Sequence, residues 1–575
     1  MKSEDRTCLG ERTRLACGFP RPRGKHRSHG QVPKVLLSVT RESVGREARP
    51  TTPGAGVLPN SGFWVKSRIP AAAISTLLTL WLSNPALALD GYVYIHDPST
   101  VMWCDGKYYT FGTGGGGLMS DNGWAWTNGA VRPGGGVAPD VIHIGDRYYV
   151  TYARGGGGLA GGHAGNVYVM WTKTLDPQSP DFGFHDETVV ASSDGVEDCD
   201  AIDPSFLLDP TDGRLWLTYG TYFGYIRLVE LDPKTGKRIE GNQPVNIAID
   251  CEATDMICRD GWYYLLGTHG TCCDGANSTY NIVVGRSKKV TGPFLDNMGN
   301  DMLRGGGKMV VAASGRFVGP GHFGLLDLGD GVQKFSCHYE ADLDKSGRSV
   351  LDIRPLLWKN GWPVGGDNFK EGTYEIQSER SGYALELAVD FVRMAGGRGG
   401  FGGPGGFGGR RGTNAPSGTN APGGPGMGFN RAPTGPVTPI PLQTLSQVSS
   451  NWPDGNIDIR IGDYMMRPHQ KWMITPVAGV GGYPGSPYFK ITIADTDRAL
   501  AATADAEVVA VPAFTGAPEQ LWRIDQLTDG TYRIAPKVVP DSTEPLALTA
   551  MGNSTPTLAK FDPNSDKARW NFKTP

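Results

Sequence analysis

Residues 95–114 read IHDPSTVMWCDGKYYTFGTG, and the half that begins at Asp105 decides the fold. Asp105-Gly106 is a two-residue turn signal, and the KYYTF that follows is a short aromatic, strand-forming run. The same unit returns as GDRYYVTYARG from 145, DGRLWLTYGT from 212, DGWYYLLGTHG from 260 and DGVQKFSCHYE from 330. The spacings, roughly 40 to 70 residues, vary as if loops of different length hang from a constant unit. Helical periodicity is nearly absent. A β-sandwich would account for the hairpins but not for their repetition. Five copies therefore predict an all-β chain with a five-bladed β-propeller, one copy per blade.

A chain of 575 residues exceeds one ordinary domain. Its hydrophobic content of 39% is enough for buried cores. Residues 1–64 hold 12 Lys/Arg against 5 Asp/Glu, which leaves 43 against 53 in the rest, a net −10. A body of that sign argues against a nucleic-acid partner. Residues 1–64 are rich in Arg, Pro and Gly and lack periodicity. They are expected to be disordered, or an untranslated extension. At 65–88, VKSRIPAAAISTLLTLWLSNPALA joins Lys66 and Arg68 to an apolar stretch at 71–82 and closes on Ala86-Leu87-Ala88. The apolar stretch is too short to span a bilayer. The pattern predicts a secretory signal peptide cut after Ala88, with translation starting near Val65. The product would be secreted or periplasmic, with no stable membrane insertion. Seven cysteines follow the cut: Cys104, Cys199, Cys251, Cys258, Cys272, Cys273 and Cys337. Export permits disulfides, but seven is odd, no His/Cys cluster has zinc spacing, and the connectivity stays open.

The repeats end at a linker-like shift over 364–372, giving a first domain at 89–365 and a second at 370–575. Within the second, residues 395–435 are a Gly-rich tract that cannot bury a core and is expected to be disordered. Downstream, Gln470-Lys471-Trp472, Gln520-Leu521-Trp522 and Ala568-Arg569-Trp570 recur about 50 residues apart. Three Q-x-W-like units resemble a ricin-type β-trefoil, with Ala568 standing where the third Gln belongs. The first unit then begins at Gly372-Thr373-Tyr374, and the Gly-rich tract is an insertion within the trefoil. The resemblance makes the three Trp residues core and leaves sugar contacts to other loop residues.

Upstream of each repeated strand, by eight to thirteen residues, stands one ionisable side chain: Asp97, Asp140, Asp203, Glu252 and His322. Singly, each has an ordinary reading. An Asp before Pro forms turns, a lone Glu is solvated, and a lone His is structural. Their similar placement predicts that all five converge on the propeller axis. Converging carboxylates desolvate and repel one another, which raises one pKa and leaves another group ionised. Glycoside hydrolysis needs that separation, with one carboxylic acid for the leaving oxygen and one carboxylate for water or direct attack.

The stretch from about 92 to 365 resembles glycoside hydrolase family 43, and within it the endo-α-1,5-L-arabinanases. The matching residues are HDPS (96–99), APDV (138–141), AIDPSF (201–206), LWLTYGTYFGYIRLVELDPKTGK (215–237), CCDGANSTYNIVVGRS (272–287), GPF (292–294) and GPGH (319–322). The family fold is a five-bladed propeller, in agreement with the repeat count. The resemblance implies that Asp97 is the general base, Glu252 the general acid, and Asp203 the group that raises the acid's pKa and orients it. It also implies inversion of configuration, with acid and base about 6.5–9.5 Å apart. It places His322 beside an axial ion, usually calcium, with water completing the shell because one imidazole is a poor set for a hard cation. Sugar-contacting positions would be His96, Asp140, Asp200-Ala201-Ile202 and Gly220-Thr221-Tyr222-Phe223, where the two rings could stack on furanoses. Three features depart from the family pattern: Val137 stands where Trp is frequent, Ala253-Thr254 follows the acid in place of Ala-Pro, and four-glycine runs occupy 114–117 and 155–158. They leave the subsite shape open, while Asp97, Asp203 and Glu252 are intact.

The expected protein is a secreted glycosidase that cuts α-1,5-linked L-arabinan internally. Its partner would be plant cell-wall arabinan or pectin side chains, and the trefoil would hold it on the polysaccharide. An exo-acting α-L-arabinofuranosidase or β-xylosidase of the same family would present a pocket in place of an open groove. A non-catalytic carbohydrate-binding protein is the reading from another class, and the intact carboxylates argue against it.

Overall fold

Each Asp-Gly or Gly-Asp turn joins the first two strands of a four-stranded antiparallel sheet. Asp105 and Gly106 have φ of 49° and 85°, as a tight hairpin turn requires, and Asp260-Gly261 and Asp330-Gly331 repeat the geometry. The computed structural model describes residues 89–157, 163–195, 198–389, 444–552 and 555–575. The expectations for 1–64, for the signal peptide at 65–88 and for the tract at 395–435 lie outside these residues.

Five such sheets follow one another. They run from Met102–Cys104 to Ala125–Val131, Val137–Ile144 to His185–Asp194, Ser205–Leu208 to Val245–Ile249, Glu252–Arg259 to Lys308–Val311, and Phe317–Asp327 to Trp362–Gly365. First strands of successive sheets pack against each other around the axis, so these are the blades of the expected five-bladed propeller. Asp90–Gly91 pairs in parallel with Ala125–Val131 of the first blade. A few residues on, Leu351 N of the fifth blade donates to Val93 O (2.8 Å) and Tyr94 bridges to Val350. One short segment thus ties the first blade to the last and closes the ring, which leaves little open sheet edge there.

Among the described residues from Gly372–Ser378 to Trp570–Lys573, a second, mainly β body holds three runs of four strands, with a five-residue helix at Leu445–Ser449 and a small extra hairpin of Gly482–Tyr483 with Ser486–Pro487. The first and last strands of each run pair in sequence: Gly372–Ser378 with Trp472–Pro476, then Phe489–Ile493, Trp522–Gln526, Tyr532–Pro536 and Trp570–Lys573, which returns to Gly372–Ser378. The middle strands of each run pair antiparallel with each other. Trp472, Trp522 and Trp570 are fully buried, as expected for core residues. Their indole nitrogens donate to Leu385 O, Leu500 O and Leu548 O at 2.8–2.9 Å, each a residue on the second strand of the same run. Gln470 and Gln520 bind the loop just before them through Met465 N and Thr515 N.

The first strand of each blade runs from the candidate catalytic residues toward its Asp-Gly turn, so the two lie on opposite faces of the ring. The second body meets the turn face. Thr528 N donates to Gly331 O (2.9 Å), Trp358 N to Thr528 O (2.7 Å) and Gly485 N to Gly123 O (3.0 Å). Lys334, 2% exposed, donates to Pro484 O, and burial lowers its pKa to about 8. Asp525, fully buried, offsets this cluster of cations through Arg523 (2.6 Å) and Arg533 (2.9 Å). Among the described residues no helix is long and apolar enough to cross a membrane.

Candidate active site

Backbone strain recurs five times at the catalytic face. Asp97, Ala138, Asp203, Ala253 and His322 all have φ between 46° and 54°, a region that L-residues rarely occupy. In the second, fourth and fifth blades a register shift spans the same point: Val137/Asp140, Glu252/Asp255 and Gly321/Gly324. These are β-bulges, which re-aim side chains next to functional sites.

The bulges correct the expectation of one ionisable residue per blade at a common position. Only Asp97, Asp203 and His322 share the strained position. Glu252 stands one residue before it, level with His96. Asp140 stands two after it, level with Ser99, Ser205 and Asp255. The difference has consequences because side chains alternate along a strand. Asp140 accepts from Thr100 N (3.1 Å), Phe206 N (2.9 Å) and Ser205 Oγ (3.1 Å), and Ser205 also reaches Asp255 (3.2 Å). Asp140 thus holds three blades together, with its carboxylate taken up by these bonds.

Asp97 is surrounded by imidazoles. Its Oδ1 lies 2.9 Å from His96 Nδ1 and 3.2 Å from His322 Nδ1, its backbone N donates to His338 Nδ1 (2.8 Å), and its Oδ2 accepts from Thr113 Oγ1 (2.5 Å). Burial alone would raise its pKa. His322, then His96 and His338, outweigh burial and hold the carboxyl well below the usual range. For His96, burial opposes protonation, but bonds to Asp97 and Glu340 raise its pKa to about 10, so it stays charged near neutral pH. Burial lowers the other two imidazoles.

Glu252 has the opposite environment. It is 7% exposed, with Oε2 accepting from Thr221 Oγ1 (2.5 Å) and Oε1 from the Tyr280 hydroxyl. Burial is the leading cause of a pKa raised to about 7. The Thr221 and Tyr280 bonds pull it back, and the charges of Asp97 and Glu340 add to the rise. Asp203 is raised as well, by burial first and then by Glu252 and Asp97. The site therefore holds an ionised Asp97 beside a protonatable Glu252, with Asp203 close enough to each to repel both.

Of the expected sugar contacts, His96 lies in the catalytic cluster and Thr221 anchors the acid. Tyr222 and Phe223 are half-buried with ring centroids 4.6 Å apart, available at the rim. Ala201 and Ile202 instead belong to a hydrophobic cluster between blades. Asp200, 1% exposed, accepts from Ala164 N (2.7 Å) and faces His163 at 3.7 Å. Gly220 is where it is because a Cβ would meet Tyr225 O at 2.5 Å. Sequence reasoning missed Thr113, Tyr280, His338 and Glu340. All four lie in quoted stretches, but only as parts of strands and loops. Removing the Tyr280 hydroxyl removes a bond that favours the Glu252 carboxylate. Tyr280→Phe should therefore move the alkaline limb of the pH–rate profile upward, and an unmoved limb would refute the contact.

A protonatable Glu and an ionised Asp near enough to interact have the charge states that an acid/base hydrolase needs. Residues 115–363 match glycosyl hydrolases family 43, a span that includes Asp203, Glu252 and His322 and begins after Asp97. The chain is 32% identical over 244 residues to the extracellular exo-α-(1→5)-L-arabinofuranosidase of Cellvibrio japonicus, covering 39% of this chain and 68% of that protein. It is 32% identical over 230 residues to an extracellular endo-α-(1→5)-L-arabinanase of Bacillus subtilis, covering 39% and 67%. It is 30% identical over 314 residues to a probable arabinan endo-1,5-α-L-arabinosidase of Aspergillus niger, covering 49% and 94%. A solved Cellvibrio cellulosa α-L-arabinanase complexed with arabinohexaose shares 28% identity over 48% of this chain and 96% of that chain, with a TM-score of 0.44. The chain belongs to glycosyl hydrolases family 43. It is a glycosidase of the arabinanase type.

Proposed function

We propose that the protein is a secreted endo-α-1,5-L-arabinanase that inverts configuration, with Asp97 as base, Glu252 as acid and Asp203 as the group that orients and modulates the acid. The observation that carries the reading is the opposite displacement of two carboxyl pKa values at one site, Asp97 down and Glu252 up to about 7. Glu252 enters the reaction with a proton for the leaving oxygen, and Asp97 enters ionised to take one from water. Endo action is the named mode of the Bacillus subtilis and Aspergillus niger relatives. Two of the relatives are described as extracellular, which supports secretion.

The axial residues fit a hard cation. His322 Nε2 is buried without a hydrogen-bond partner among the described residues, and Nδ1, though near Asp97, is not aligned for a hydrogen bond. A cavity of about 20 Å³ beside it is lined by Asp140, Asp203 and Ser205, which makes the site rich in oxygen. His322 would hold a calcium ion there with water completing its shell. The ion would add positive charge beneath the carboxylates.

For the second body, the closed circuit of six strand pairings, the antiparallel middle pair of each run and the three equivalent Trp bonds support a ricin-type β-trefoil. Its role would be to hold the enzyme on cell-wall polysaccharide.

Incubation with linear arabinan and chromatography of the early products tests the reading. Oligosaccharides of several lengths are expected. Arabinose as the sole early product would overturn endo action, and no turnover of any arabinan would overturn the function.

A further inference from the structure

We propose that the disulfide between the adjacent residues Cys272 and Cys273 is a wall of the substrate groove that receives the apolar face of a furanose ring beside the scissile bond. The proposal rests on the arabinanase reading and names a contact within it.

Cys272 and Cys273 are joined to each other by a disulfide. The loop that carries the bond leaves the strand Trp262–His269, which pairs antiparallel with Glu252–Arg259 and so returns the chain to the catalytic face. The two sulfurs, a His96 ring nitrogen and a Glu340 carboxylate oxygen all lie within 4.8 Å of one another. His96 is the partner of the base. Cys273 N donates to Glu340 Oε1 (3.2 Å), and the backbone of Cys272 hydrogen-bonds the Tyr222 hydroxyl. At its other end the same loop delivers Tyr280 to the acid. The disulfide therefore sits between the base side and the acid side, with Cys273 exposed and Cys272 half-buried.

Two ordinary roles fit poorly. A cross-link between neighbours closes almost no loop, so it constrains the unfolded chain little and contributes little to global stability. The cluster with His96 and Glu340 is a weak metal site, because bonded sulfurs are not thiolates. What remains at the surface is a rigid patch of polarisable sulfur with no donor and only weak acceptors. In a site otherwise lined by carboxylates and imidazoles, that patch suits the C–H face of a sugar ring.

The test uses the full chain. Alkylation of the denatured, unreduced protein should leave Cys272 and Cys273 unlabelled, because the pair is oxidised. A dithiol reductant converts that pair to two thiols, taking up two electrons and two protons, and is itself oxidised to a disulfide. Kinetics on arabinohexaose are then compared for the wild type, the reduced wild type and the double variant Cys272→Ala, Cys273→Ala. KM should rise about tenfold (about 1.4 kcal/mol) in the last two. In both, kcat should change by less than about threefold, the pattern of lost ground-state binding. The thermal midpoint should not move, and the reductant should leave the double variant unaffected. Labelling of Cys272 and Cys273 without reductant would overturn the proposal, as would an unchanged KM. Loss confined to kcat would also overturn it, because the disulfide would then only position other groups. If the wild type itself fails on every arabinan, the functional reading fails, a result visible before any variant is compared.

Discussion

Asp97→Asn is expected to lower kcat on linear arabinan by about 10²–10⁴-fold, the range for loss of a positioned general base. The amide can still accept from Thr113, so the strained backbone at φ 51° keeps its anchor while the charge is lost. Without the carboxylate, nothing at that position takes the proton as water attacks. The loss should be equally large for substrates with easily expelled aryl groups, because water still has to be activated. The imidazoles hold Asp97 ionised far below neutral pH, so it should give the wild-type profile no acid limb in the range where the enzyme is ordinarily assayed. Initial-rate kinetics on arabinan and an aryl arabinofuranoside check both points. A variant within tenfold of wild type would remove Asp97 from the mechanism.

Glu252→Gln is expected to cost about 10²–10⁴-fold on arabinan, whose leaving oxygen is a poor anion and needs a proton. The cost should shrink sharply on a substrate with an acidic phenol as leaving group, because that oxygen departs without help. This contrast separates the acid from the base. The pH dependence has a definite sign. Only protonated Glu252 can donate, and its pKa is raised to about 7, so kcat/KM should fall as pH rises through that value. The residual rate of the Gln variant should lack this limb, since an amide does not titrate there. If the limb persists in Glu252→Gln, another group is the acid. Both variants should be read alongside their unfolding curves, because Glu252 and Asp97 are buried and hydrogen-bonded.

The relatives do not choose between modes of attack. At equal identity one is named as exo-acting and another as endo-acting. Subsite shape is set by loops at the catalytic face, and these vary in length between blades. Tyr222, Phe223 and the Cys272–Cys273 loop are the described positions where a change of mode would be engineered first.

The blades, and the carboxylates that the fold brings together, were legible in the chain alone. An Asp-Gly turn followed by alternating aromatics is a short-range property, and five copies of it specify hairpins wherever they fall. The three buried Trp residues of the second body were legible for the same reason. Position within the site was not. One added residue at a β-bulge moves a side chain to the other face of its strand, and no local pattern distinguished Asp140, which ties blades together, from Asp97 and Asp203. The partners that set the pKa values are remote as well. His338 reaches Asp97 across 241 residues and Glu340 reaches His96 across 244. Such pairs exist only once the fifth blade closes on the first.

Residues 95–114, which hold both an Asp-Gly turn and Asp97, mark where the division falls. Turn chemistry and strand propensity belong to the chain itself, and they decided the all-β class and the repeat. The charge states of Asp97 and Glu252 belong to the closed ring, because burial and opposing charges act only between groups that the fold has brought together.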